Sequence, residues 1–207
     1  MRRLLIVVAA LLPASFAFAA DPPKEPKLAK VFVAGRELGQ ATTSRGRVVE
    51  TVKVNLELAN KTMLGVEVEN VKDALKPSKD QELNTYVAEG VLRVGDPWPS
   101  VDFPPKPGTK QLWLRGTGRY MTKEDKARFP SKGNAIVEGK AVTDRYDLDD
   151  EKTSLAIQNG KDLIYVTGKA AKDLGKLKGT IRVTGQLKLD EKGRTRIVAK
   201  KVEANKK

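Results

Sequence analysis

The chain has 207 residues, of which 39 are Lys or Arg and 26 are Asp or Glu, giving a formal net charge of +13. It contains no cysteine and no histidine. Disulfides, thiolate metal sites, cysteine nucleophiles and every arrangement with a histidine base or ligand are therefore excluded. We expect a protein that is not an enzyme, that has no catalytic residue and no metal site, and that needs no cofactor.

The N-terminus has the pattern of a signal peptide over residues 1–20. Arg2 and Arg3 precede an apolar run from Leu4 to Leu12, and Ala17-Phe18-Ala19 gives the small residues that signal peptidase requires. A membrane anchor is the alternative, but this run is far shorter than the ~20 residues of a spanning helix. We expect cleavage near Ala19/Ala20 and export to the periplasm or the extracellular space. Residues 21–27, "DPPKEPK", form a Pro-rich leader.

Residues 28–118 are predicted to form a β-sandwich-like domain. A short strand near Lys30–Ala34 is followed by a polar stretch. In "VKVNLELANKTMLGVEVENV", apolar and polar residues alternate on both sides of Asn60-Lys61, which is the pattern of an antiparallel strand pair. Two more strands follow, "TYVAEGVLRV" and "PGTKQLWL", with a Pro-rich stretch over 97–107 between them. This order loosely resembles small immunoglobulin-like sandwiches of exported bacterial proteins. A second barrel is the alternative.

Residues 119–133 are predicted to be a short helix and a linker. Thr122 can cap the helix, Asp125 lies three residues later as in a capping box, and Pro130 ends it.

Residues 134–204 have the order strand, strand, strand, helix, strand, strand. Asn159-Gly160 predicts a hairpin, and a second hairpin turns at Asp190 to Gly193. Through "IVEGKAV", "LIYVTG" and "LKGTIRVTGQL" the segment resembles the OB-fold, most closely the anticodon-binding-like (tRNA_anti-like) OB domains of exported bacterial proteins. The resemblance implies a five-stranded Greek-key barrel, in which Gly139, Gly168 and Gly185 let the strands bend.

The same resemblance implies a ligand groove across the second and third strands, between the loops Arg145–Lys152 and Asp190–Gly193. Both loops are acidic, and between residues 134 and 207 the aromatic residues are Tyr146 and Tyr165. Few stacking rings and acidic loops both argue against nucleic acid as the ligand. The candidate groove residues are Arg145, Tyr146, Asp147, Asp149, Tyr165 and Lys192.

Basic residues are concentrated on the last two strands. They can be solvated outer strand faces, which the sequence favours, or a patch for an anionic partner. The candidate anion patch consists of Arg182, Lys188, Arg194, Arg196 and Lys200.

The whole sequence is therefore that of a mostly β, exported, non-enzymatic binding or interaction protein of the cell envelope. The partner is not identified; an anionic envelope polymer, lipid headgroups or another envelope protein are favoured over nucleic acid. The alternative function is OB-type nucleic-acid binding, and a second alternative is a hydrolase that uses carboxylates.

Overall fold

The computed structural model describes residues 27–75, 85–98, 108–129, 135–144, 154–171 and 179–204. Within these ranges the chain is mostly β, with two short helices, α1 (Val71–Ala74) and α2 (Lys123–Arg128). The predicted signal peptide and most of the leader lie outside the described residues. The strands are β1 (Lys30–Arg45), β2 (Val48–Glu57), β3 (Met63–Val68), β4 (Thr85–Gly95), β5 (Gln111–Tyr120), β6 (Ala135–Asp144), β7 (Ser154–Asn159), β8 (Asp162–Thr167), β9 (Thr180–Leu189) and β10 (Thr195–Ala204).

The first five strands close into a ring in the order β1-β2-β3-β5-β4-β1. β3 and β5 run parallel, and the other four pairings of the ring are antiparallel. This is the connectivity of the five-stranded OB barrel. The predicted β-sandwich is therefore wrong. β1 continues to Arg45 and pairs with β4 in its first half and with β2 in its second half, so it closes one ring instead of separating two sheets.

The last five strands form a second ring with the same connectivity, β6-β7-β8-β10-β9-β6, in which β8 and β10 are the parallel pair. Both predicted hairpins of this segment are confirmed, with Gly160 and Gly193 at positive φ in the turns. Of the predicted helix after β8, Ala170 and Ala171 are described and pack against the core. Residues 172–178 of that segment and the loop from Arg145 to residue 153 lie outside the described residues.

The two barrels repeat one another in register as well as in connectivity. The pair Val31 and Gly90, between β1 and β4, has its counterpart in Ala135 and Gly185, between β6 and β9. In the parallel pairs, Gly65 opposite Trp113 corresponds to Tyr165 opposite Arg196, by strand and by register. Each strand of the first barrel therefore has a counterpart in the second, with the register interrupted at the bulges of β1 and β10.

The barrels are joined along a seam between β1 and β6, which pair antiparallel. Phe32 lies opposite Ile136 at this seam, and the register equivalence makes these two residues counterparts of each other. Antiparallel pairing of equivalent strands about equivalent residues is the geometry of a two-fold axis. The seam therefore relates the two barrels by a local two-fold rotation.

Two asparagine side chains repeat this symmetry away from the seam. Asn60, at the tip of the β2–β3 hairpin, donates from Nδ2 to the main-chain oxygen of Leu187 at 2.7 Å. Asn159, at the tip of the β7–β8 hairpin, donates in the same way to Leu92, also at 2.7 Å. Leu92 and Leu187 occupy equivalent positions on β4 and β9. Each barrel thus holds the fourth strand of the other.

Helix α2 covers one side of the seam. The predicted capping box is confirmed: Thr122 caps the helix, and Asp125 accepts a hydrogen bond from the Thr122 main-chain N–H at 2.9 Å. Phe129, at the end of the helix, belongs to one buried apolar cluster with Phe32 and Ile136. The described part of the linker, through Phe129, is therefore packed onto the junction of the barrels. No helix within the described ranges has the length and apolar character needed to span a membrane.

Candidate ligand-binding faces

Each barrel presents an outer face made by its second, third and fifth strands, which is the surface that OB barrels use for ligands. We call the face of β2, β3 and β5 face 1 and the face of β7, β8 and β10 face 2. At the centre of each face the third strand pairs in parallel with the fifth strand.

The indole of Trp113 lies across face 1. It occupies the space above Gly65, where a Cβ atom would fall 2.4 Å from the Trp113 Cε3 atom. Its Nε1 donates a hydrogen bond to the main-chain oxygen of Asp96 at 2.9 Å. Trp113 is 5% exposed. The absence of a side chain at residue 65 therefore leaves the space that the ring occupies against the barrel.

A lysine lies between the two tryptophans of face 1. The Nζ atom of Lys53, on β2, is 5.5 Å from the ring centroid of Trp98 and 5.6 Å from that of Trp113. Both distances are within the range of cation–π attraction. Trp98 and Lys53 are partly exposed, in contrast to Trp113. Face 1 therefore presents an accessible ring next to a positive charge.

Face 2 has an aromatic ring and two arginines at the corresponding place. Tyr165 occupies the position equivalent to Gly65, and Arg196 occupies the position equivalent to Trp113. The guanidinium carbon of Arg194 lies 5.9 Å from the centroid of the Tyr165 ring. Ala156 contacts Tyr165 in a small apolar cluster beside this ring. An aromatic group packed against basic groups thus occurs on both faces, although the residues differ.

Asp190 holds the arginines of face 2 in place. Its Oδ2 accepts hydrogen bonds from Arg194 Nε at 2.7 Å and from Arg196 Nε at 2.9 Å. Burial raises the pKa of this carboxyl, but the hydrogen bonds from the two arginines outweigh it and hold the pKa below its usual value. The β9–β10 turn was expected to repel phosphate, but two guanidinium groups compensate the charge of Asp190.

The structure describes only part of the predicted groove. Tyr165 lies on face 2, as the resemblance implied, and is 8% exposed. Lys192 is exposed in the β9–β10 turn, where its main-chain N–H donates to Asp190 Oδ1 at 2.9 Å. The remaining four candidates lie outside the described residues: Arg145, Tyr146, Asp147 and Asp149.

The five residues of the predicted anion patch do not form one surface of solvated cations. Arg182 pairs with Glu138 at 3.4 Å, and Lys200 lies at a bulge of β10, between Ala199 and Lys201. Arg194 and Arg196 turn toward Tyr165 and Asp190, and Arg196 is only 7% exposed. Lys188 is exposed on β9 opposite Arg196. The expectation of solvated outer faces is therefore wrong for Arg194 and Arg196, which belong to face 2.

The residues of face 1 were not predicted as a site because the first half of the chain was not assigned to an OB barrel. One signal in the sequence could have indicated it. "TYVAEGVL" in β4 and "TIRVTGQL" in β9 share Thr, Gly and Leu at the same spacing, and these residues are equivalent in the two barrels. With that repeat recognised, Trp113 and Lys53 would have fallen on a second groove.

The described residues also line an open pocket of about 330 Å³ on the outer side of β4 and β5, next to both helices. Arg119 in its wall forms an ion pair with Asp125, with Nη2 3.0 Å from Oδ1. The guanidinium of Arg128 stacks over Phe32 at 3.8 Å. These arginines are thus engaged within the protein. The described part of the chain holds no cluster of carboxylates able to bind a metal ion.

No protein-family model matches the chain. No curated protein matches it either. A crystal structure of a deletion mutant of the single-stranded DNA binding protein from Thermus aquaticus is similar, with 14% sequence identity and a TM-score of 0.44. The similarity covers 88% of this chain and 96% of that chain. The OB character of the two barrels follows from their own strand connectivity.

Proposed function

We propose that this protein binds single-stranded nucleic acid on faces 1 and 2. The observation that carries the proposal is the repeated pairing of an aromatic ring with basic groups at the centre of both faces. Lys53 lies beside Trp98 and Trp113, and Arg194 lies beside Tyr165. Unpaired bases stack on accessible rings, which here means the partly exposed Trp98, and adjacent cations neutralise the phosphates.

The sequence alone favours an anionic envelope polymer, lipid headgroups or another envelope protein over nucleic acid. That preference counted the rings of the C-terminal segment alone, where Tyr146 and Tyr165 are the aromatic residues. The structure has two OB barrels where the sequence predicted one, so there are two candidate ligand faces. Face 1 adds the partly exposed Trp98. The formal charge of +13 favours the binding of any polyanion. The aromatic rings are therefore the feature that would favour nucleic acid over other anionic polymers.

An anionic envelope polymer without rings is the second candidate ligand. The predicted signal peptide favours it, because an exported protein meets such polymers first. It would be held by charge alone, through exposed residues such as Lys188 and Lys192. The two candidates differ in one measurable way, since stacking changes the environment of the aromatic side chains.

The chain provides its own reporter for this test, because Trp98 and Trp113 are its two tryptophans and both lie on face 1. Intrinsic fluorescence is titrated with oligo(dT) and, at equal charge, with inorganic polyphosphate. We expect quenching and saturation with oligo(dT) at submicromolar to micromolar concentration, and weaker binding without quenching with polyphosphate. Equal affinity for both polymers would favour the second candidate and overturn the proposal.

Two substitutions locate the binding. Trp98→Ala should weaken oligo(dT) binding about tenfold, since one stacked base contributes roughly 1–3 kcal/mol, while Trp98→Phe keeps most of the affinity. Lys123→Ala is the control, because it removes one exposed charge on α2, away from both faces. An affinity that falls equally for Trp98→Ala and Lys123→Ala would contradict a stacking site on face 1.

A further inference from the structure

The two-fold relation between the barrels determines how a directional ligand meets faces 1 and 2. A single nucleic-acid strand has a 5′ and a 3′ end, and a chiral protein surface contacts the two directions differently. A two-fold rotation reverses every direction perpendicular to its axis, so a path that leads from one face to the other meets equivalent backbone positions in opposite order. A strand that crosses both faces without turning back would be bound in its preferred direction on one face and in the reverse direction on the other.

The relation is built into the backbone of the described residues. The β1–β6 seam pairs Val31 with Val137 and Val33 with Ala135, on either side of Phe32 and Ile136. All of these pairs lie in strands that occupy equivalent positions in the two barrels. The seam residues Val31 and Val137 are fully buried. A continuous sheet with buried side chains across the seam keeps the barrels in one orientation.

The reciprocal asparagine contacts fix the orientation at points away from the seam. Asn60 holds Leu187, and Asn159 holds Leu92, each at 2.7 Å. A rotation of one barrel about the seam would break both contacts together. The linker adds a further attachment, because Phe129 packs on Phe32 and Ile136. The two faces are therefore held in opposite directions and cannot align by a simple hinge.

We propose that faces 1 and 2 bind two nucleic-acid segments of opposite polarity, so that one natural strand occupies both faces only by turning back on itself. This inference rests on the proposed function and specifies the geometry of the ligand. The central parallel pairs of the two faces are equivalent, Gly65–Trp113 on one and Tyr165–Arg196 on the other, and each pair contains one aromatic residue. Both faces would therefore contact a strand through the same element of the fold.

The test uses oligonucleotides whose two halves have a defined relative direction. Two (dT) arms of about eight nucleotides, within the range of OB site sizes, are joined by a short flexible polyether spacer. The arms are joined 3′ to 3′, 5′ to 5′, or 3′ to 5′ as in a natural strand. Binding of each compound to the full chain is measured by tryptophan quenching and by isothermal titration, which gives the stoichiometry.

We expect one of the two inverted compounds to bind at least about tenfold more tightly than the 3′-to-5′ compound, at one ligand per chain. The reason is that only this compound places both arms in the preferred direction, and the second arm then binds at a high effective concentration. Lengthening the spacer should remove the difference, because a long spacer lets a natural strand turn back. A 3′-to-5′ compound that binds as tightly as both inverted compounds at the shortest spacer would overturn the inference.

A variant of face 2 makes the assignment specific. With Arg194→Ala and Tyr165→Ala combined, face 1 alone binds, so all three compounds should bind with the affinity of a single arm. A preference that persists in this variant would come from another surface and would also overturn the inference. The outcomes separate the two proposals: if no (dT) compound binds, the proposed function fails, whereas binding without a direction preference removes only the opposed polarity.

Discussion

Asn159 donates a hydrogen bond from its side chain to the main-chain oxygen of Leu92, in the other barrel, and Asn159 is only 6% exposed. Asn159→Asp would replace the donor by an acceptor, which repels that oxygen and leaves a buried charge. We expect the free energy of unfolding to fall by roughly 3 kcal/mol, since unsatisfied buried charged groups cost more than neutral ones. Urea denaturation at pH 7 measures this loss.

The equivalent contact of Asn60 supplies the comparison for that prediction. Asn60 makes the same kind of hydrogen bond, to Leu187, but its side chain is partly exposed and can be hydrated. Asn60→Asp should therefore cost clearly less than Asn159→Asp. Equal losses for the two variants would contradict the expectation that the burial of Asn159 makes its substitution more costly than that of Asn60.

Gly65 is a second position with a sharp expectation, because it determines where Trp113 lies. Gly65→Ala would place a Cβ atom 2.4 Å from the Trp113 Cε3 atom, so the indole must move away from the barrel. We expect a loss of about 1–3 kcal/mol in the free energy of unfolding, as for overpacking elsewhere, and a red shift of the tryptophan emission. Gly39→Ala is the matched control, since no atom lies within 4 Å of its added Cβ. Unshifted emission from Gly65→Ala would contradict this packing.

Much of the second barrel could be predicted from the sequence because its signals are local. Asn159-Gly160 places a hairpin within a few residues, and Thr122 with Asp125 places the start of α2. The first barrel lacks such a signal at the critical point. The second half of β1 pairs with β2 in a largely exposed hairpin, so residues 36–45 show no apolar alternation and their sequence indicates only a polar stretch.

The candidate site could be predicted only in part, since its contacts are non-local. Gly65 meets Trp113 through a parallel pairing, and parallel partners are distant in sequence. Tyr165 was identified because the resemblance covered its barrel. Arg194 and Arg196 are predicted to be solvated because strand alternation predicts which face of the strand a side chain lies on. It does not predict which other groups that side chain contacts. Asp190 brings both arginines onto face 2, and no spacing rule indicates that contact.

The ion pairs of Asp190 predict how stability depends on pH. The pKa of this carboxyl is lowered in the folded protein, so its ionised form stabilises the fold at all pH values above the unfolded pKa of about 3.9. That contribution is lost as the pH falls from about 5 through the lower, folded pKa. We expect the free energy of unfolding of the wild type to decrease more steeply between pH 5 and pH 2 than that of Asp190→Asn, as measured by urea denaturation.

Glu203 provides the control for the pH prediction. Its pKa is also lowered, by Lys201 at 2.7 Å, but its side chain is 41% exposed and solvent screens the pair. Glu203→Gln should therefore leave the pH dependence close to that of the wild type. A wild-type slope that matches Asp190→Asn would mean that the arginines of face 2 are not held by this carboxylate.

Asp125 connects the linker helix to the first barrel. It accepts hydrogen bonds from the Thr122 main-chain N–H at 2.9 Å and from Arg119 Nη2 at 3.0 Å, and these bonds outweigh the burial that raises its pKa. Asp125→Ala removes the capping box and leaves Arg119 without its partner. We expect a loss of about 2 kcal/mol in the free energy of unfolding, from the cap and the charge-assisted bonds together.

The neighbouring Glu124 separates the role of Asp125 from that of charge alone. Both carboxylates lie in the first turn of α2, where either one interacts favourably with the helix dipole, but Glu124 is exposed and lies outside the capping box. Glu124→Ala should therefore cost well under 1 kcal/mol. Phe129, at the end of the same helix, packs with Phe32 and Ile136 at the seam. Asp125→Ala should therefore also increase hydrogen exchange of the seam amides. Unchanged exchange at the seam in Asp125→Ala would show that α2 is not needed to hold the two barrels together.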